Sequence, residues 1–71
     1  MNTNEASLTI LEETDSAWMK AQVTVYAESA PQALDRALNI IERNATKSPC
    51  FETYTVQPDM YIENLYTITF D

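Results

Sequence analysis

Twelve consecutive residues, Ala17–Glu28, alternate in character without a slip. Ala17, Met19, Ala21, Val23, Val25 and Ala27 are small and apolar, while Trp18, Lys20, Gln22, Thr24, Tyr26 and Glu28 are polar or aromatic. Successive side chains of an extended chain point to opposite faces, so this period of two predicts a long strand buried on one face. Such a strand needs neighbours for its backbone hydrogen bonds and a cover for its apolar side. Alanines at 17, 21 and 27 are weak strand formers; the room they leave predicts a helix lying close above them.

That helix follows at once, in Ser29–Ala45. Ser29 is a favourable N-cap, Gln32 three residues later completes a capping-box pattern, and Pro31 falls in the first turn, where its missing N–H costs nothing. Ala33, Leu34, Ala37, Leu38 and Ile41 recur at helical spacing and form one apolar stripe. Asp35 early and Arg43 late both suit the helix dipole. Asn44 and the pair Ser48–Pro49 end the element.

The remaining segments read as strands. Ser7–Glu12 is a first strand with Leu8 and Ile10 on one face, and Glu13–Ser16 is a break suited to a type I turn or short loop. After the helix, Cys50–Gln57 reads as a third strand in which Phe51 and the pair Tyr54/Val56 compete for the inner face. Pro58–Asp59 is a turn, and Met60–Phe70 a fourth strand in which Asn64 marks a bulge or the true start. The order ββαββ predicts an α+β fold: a single four-stranded, mainly antiparallel sheet with one helix packed on one face. All 71 residues fit one domain, with Met1–Glu5 frayed at its start.

Charge narrows the function. The chain carries 11 acids against 4 bases, a net charge of −7. Between Glu28 and Lys47 the charges cancel, so the whole excess belongs to the strands and turns. A direct nucleic-acid binder is disfavoured and none is expected, because that task needs Lys and Arg to neutralise phosphates and release counterions. An acidic surface keeps a small protein dispersed, and it also complements a basic partner. With the polar face of Ala17–Glu28, the candidate partner-binding residues are Glu12, Glu13, Asp15, Trp18, Tyr26, Glu52, Asp59 and Glu63.

Catalytic chemistry finds little support. The chain has no histidine, the commonest general base and metal ligand, and no glycine with which to build a phosphate-cradling loop. The single Cys50 has no histidine partner and reads as a structural thiol; it also rules out an internal disulfide. Glu12, Glu13 and Asp15 lack the glycine and distal glutamate of a calcium loop. No enzymatic activity, metal or cofactor is expected. No apolar run reaches membrane-spanning length and MNTNEAS is no signal peptide, so a cytoplasmic location is expected.

The run VTVYAESAPQALDRALNIIERN, followed by two strands, resembles dodecins, small acidic flavin-binding proteins of strand–helix–strand–strand order. This chain has one strand more and no tryptophan in the strand after the helix, where dodecins stack flavin. Its size, charge and element order also resemble those of small acidic phage anti-defence proteins, the anti-CRISPR proteins among them. That resemblance implies a non-enzymatic inhibitor, acting in the host cytoplasm, that blocks a nucleic-acid-binding surface by charge mimicry. The expectation is therefore a binding protein whose acidic sheet face occludes a basic protein or nucleoprotein complex of the host. The alternatives are a small oligomeric or ligand-binding module, with a homodimer as its simplest form, and an antitoxin-like neutraliser.

Overall fold

A computed structural model describes residues 6–71; the expected fraying of Met1–Glu5 lies outside the described residues. The elements are β1 (Ser7–Glu13), β2 (Ala17–Tyr26), α1 (Ala30–Asn44), β3 (Ser48–Pro49), β4 (Tyr54–Pro58) and β5 (Leu65–Phe70). The fold is α+β, with one helix on a mostly antiparallel open sheet. Strand order is β1-β2-β5-β4, and β3 is a fifth, two-residue strand that pairs parallel to the start of β2. Where one strand was expected over Cys50–Gln57, the chain makes β3 and β4 with an irregular link between them. Proline at 49 has no N–H to give, so pairing breaks there. Cys50 N–H instead donates to the Trp18 carbonyl at 2.9 Å.

The register explains which residues form the core. Leu8 lies opposite Val23 and Ile10 opposite Ala21, and across the sheet Val23 meets Ile68, which meets Val56. These pairs share the face beneath α1. Ala21, Val23, Ala33, Ala37 and Ile68 are fully buried. Alanines on both surfaces let the helix axis come close, as expected from the small residues of β2. Tyr54, Val56 and Pro58 align with Phe70, Ile68 and Tyr66, which places Tyr54 and Val56 on the helix side. Phe51 joins them from the preceding link, its ring 5.4 Å from that of Phe70.

The helix begins at the predicted cap, with the return bond of the capping box displaced by one residue, to Glu28. Ser29 Oγ accepts from Gln32 N–H at 3.3 Å, and Gln32 Oε1 accepts from Glu28 N–H at 2.7 Å. Two expectations need correction. No acid stands in the first turn, so Asp35 lies too far along to complement the N-terminal dipole. Leu38 is 48% exposed, because Ala33, Ala37 and Ile41 define the line of contact and Leu38 falls to its side.

The correction that matters most is Trp18. Strict alternation puts it on the open face, yet it is 5% exposed and belongs to the buried cluster with Ile41, Ile68 and Phe70. The cause is a pair of compensating irregularities between β1 and β2. Ile10 pairs with Ala21, Glu12 with Lys20 and Glu13 with Trp18, so Leu11 is extra on β1 and Met19 is extra on β2. Dropping Met19 from the ladder resets the phase of the residue before it, and Trp18 turns beneath the helix. Asp15 and Ser16 join the two strands with Thr14 N–H donating to the Ala17 carbonyl at 2.8 Å. Neither has positive φ, so the turn is not of the primed kind that matches strand twist. The two bulges absorb the mismatch.

Candidate interaction loop

The open face of the sheet is not acidic. Its central rows, read from the pairing, are Thr9–Gln22–Thr69–Thr55 and Ser7–Thr24–Thr67–Gln57, and beyond them Glu12 stands opposite Lys20, acid against base. Every side chain of the central rows is uncharged, and Gln22 Nε2 donates to Thr69 Oγ1 at 3.4 Å. The carboxylates lie instead at the two ends of β2.

At the Trp18 end, Glu12 and Glu52 come together. With Met19, Lys20, Cys50, Phe51 and Asp71 they line a groove of about 730 Å³. Glu52 N–H and Thr53 N–H both donate to the Asp71 carbonyl, at 2.7 and 2.8 Å, which fixes that wall. Glu13 is engaged by Lys47, whose Nζ lies 2.7 Å from its carboxylate and also donates to the Thr14 carbonyl at 2.8 Å. Asp15 sits apart, in a shallow depression with Lys47 and Ser48. Among the described residues, no group of three or more Asp, Glu, Cys or His could hold a metal. Among these residues no helix is long and apolar enough to cross a membrane.

At the Tyr26 end stands the feature that sequence reading missed. Met60, Tyr61 and Ile62, expected inside a strand, form an exposed loop between β4 and β5. Met60 is 85% and Tyr61 91% exposed, and Ile62 is exposed as well. Single exposed apolar side chains are ordinary; three consecutive ones on a 71-residue protein are not.

The loop is nonetheless tightly held. Asp59 Oδ2 accepts from Tyr61 N–H at 2.9 Å and from Ile62 N–H at 2.7 Å, a side-chain turn that replaces strand pairing. Asp59 N–H donates to the Leu65 carbonyl at 2.8 Å and closes the base. Asn64 takes φ 66°, the left-handed region that asparagine tolerates best after glycine. Its carbonyl accepts from Ala27 N–H at 2.8 Å and ties the loop to the end of β2. A signal was available in the sequence: Pro58–Asp59 and Asn64 bracket the apolar triplet with turn formers.

Two of the expected residues, Asp59 and Glu63, flank this triplet. Asp59 spends its carboxylate on the loop's own backbone, whereas Glu63 is exposed and makes no side-chain hydrogen bond among the described residues. Tyr26 is half-buried near the loop's base, opposite Leu65, and its carbonyl accepts from Arg36 Nη1 at 2.6 Å. The eight residues expected to act together thus divide into a buried Trp18, an end with Glu12, Glu13, Asp15 and Glu52, and an end with Tyr26, Asp59 and Glu63. Comparison with protein-family models, with curated proteins and with solved structures finds no match for this chain.

Proposed function

We propose that this is a non-enzymatic binding protein that occludes a basic, nucleic-acid-binding surface of a partner protein or nucleoprotein complex. Its working element is the β4–β5 loop and not the sheet face. One observation carries this reading: Met60 and Tyr61 project into solvent from a loop pinned by Asp59 and Asn64. Exposed aromatic and methionine side chains on an already ordered loop supply desolvated contact without a large ordering cost. Glu63 beside them, and the net charge of −7, favour a basic rim around the pocket that receives them. Carboxylates would then stand where the partner's Lys and Arg otherwise hold phosphates. This reading keeps the charge mimicry implied by the phage anti-defence resemblance and moves it to the loop.

The test compares immobilised wild-type chain with a Met60→Ser/Tyr61→Ser variant in cell lysate. The expected result is a basic protein retained by the wild type, lost with the variant, and released by added nucleic acid. Equal retention by both chains, or retention indifferent to competing nucleic acid, rejects the proposal.

A further inference from the structure

The helix covers β2, β5 and β4 but leaves the β1 side open. There a groove of about 310 Å³ runs between helix and sheet, lined by Val25, Tyr26, Arg36, Asn39, Ile40 and Arg43 among others. Its lining is mixed, with Tyr26 and Ile40 beside Asn39 and two arginines, and Arg36 and Arg43 are two of the chain's 4 basic residues. Arg36 is committed to the Tyr26 carbonyl, whereas Arg43, on the exposed side of the last helical turn, has no hydrogen bond or ion pair among the described residues. A groove with Ile40 in its wall and an arginine at its edge that has no partner among the described residues complements an apolar loop with a carboxylate beside it. The chain carries both.

We infer that the groove receives the β4–β5 loop of a second copy, with Met60 and Tyr61 over Tyr26 and Ile40 and Glu63 against Arg43. Charge complementarity selects this occupant: a −7 chain repels its own kind except where its few arginines meet its carboxylates. Both features open at one end of the sheet, since Tyr26 lines the groove and Ala27 holds the loop. Two copies related by a two-fold axis can therefore exchange loops and close the pair. A stable interface takes about 800 Å² from each partner, roughly a sixth of the 5052 Å² that this chain exposes. Met60 and Tyr61 are 85% and 91% exposed, so a two-fold pair covers both loops and both grooves where a one-sided contact covers one of each. The inference rests on the loop being a contact surface and adds its regulation: the self-associated pair hides the loop, and dilution or a competing partner releases it.

The test is sedimentation of the purified full chain over a range of concentrations, with Glu63→Arg, Arg43→Glu and the double variant. Each single change sets like charges against each other and should weaken association roughly tenfold or more, as for other close interfacial charge pairs. The double variant restores the pair and the original net charge of −7, so it should associate like the wild type. Circular dichroism of each variant confirms that it is folded. Three results overturn the inference: wild-type chain that stays monomeric throughout, single variants that associate as the wild type does, or a double variant no better than the singles. Arg43→Glu separates this idea from the proposed function, because it should weaken self-association and leave lysate capture through the loop intact.

Discussion

Replacing Trp18 with alanine tests the bulge that turns it inward. An indole buries roughly 200 Å², and at about 25 cal/mol per Å² its return to water costs on the order of 5 kcal/mol, an upper bound because the unfolded chain already hides part of it. Large-to-small changes of this kind in well-packed cores cost about 3–5 kcal/mol once the cavity is included. A domain of 71 residues has in total about 4–11 kcal/mol to lose. Each kcal/mol moves the midpoint by about 4–8 °C at this size, so Trp18→Ala should lower Tm by at least about 12 °C or unfold the chain. Thermal melting followed by circular dichroism reads this directly. The wild type offers an independent check, because Trp18 is its one tryptophan. Its emission should be blue-shifted when native and move to the red on unfolding. On the open face the same substitution would cost no more than about 0.5 kcal/mol. A Tm within about 4 °C of wild type, with native emission already that of exposed indole, refutes both the burial and the account of the bulge.

The bulges themselves can be edited. Deleting Leu11 and Met19 together leaves Glu12 opposite Lys20 and Glu13 opposite Trp18 in an unbroken ladder, with Trp18 on the same face as Ala21, so the shortened chain should keep the blue-shifted native emission of the wild type; emission of exposed indole would refute this. Asn64→Val forces a β-branched residue to φ 66° and should cost about 1–2 kcal/mol of stability to urea. Met60→Ser/Tyr61→Ser removes only exposed groups, and Tm should shift by less than about 4 °C while retention of a partner is lost. Association with a captured partner should slow with added salt and with Glu63→Lys, but not with Glu42→Lys, since Glu42 is exposed in the last turn of the helix, at the far end from the Ala27 that holds the loop; an unchanged rate at high salt would remove electrostatics from the mechanism.

What the sequence makes legible here is what short-range physics decides. The cap at Ser29, the helix behind it and the two faces of Ala21–Ala27 follow from hydrogen bonds and periodicities contained within a few residues. The facing of Trp18 does not, because a bulge on β2 exists only relative to the register of β1. Strand order is equally non-local, as β5 returns to β2 across the whole helix. The candidate loop was hidden for another reason. Met60, Tyr61 and Ile62 have the composition of a strand, and one carboxylate at Asp59 outweighs that preference by offering their N–H groups a nearer acceptor. Reading the acids as one surface failed because net charge carries no geometry, and the threonine rows of the open face separate the two acidic ends.

The irregularity at Leu11 bears on more than the aim of a tryptophan. β1 is an outer strand, and its segment Ser-Leu-Thr-Ile-Leu is uncharged, rich in strand formers and free of proline. A row of unpaired backbone groups on such a segment is a template for edge-to-edge growth into fibrils. The extra residue bends that template just where Glu12 and Glu13 begin, so an incoming flat strand loses register and meets charge. At the opposite edge β4 is short and ends in Pro58, which has no N–H to offer. Straightening β1 by removing Leu11 should therefore give a tidier hairpin in a protein that aggregates more readily on concentration, a cost visible in turbidity long before it is visible in stability.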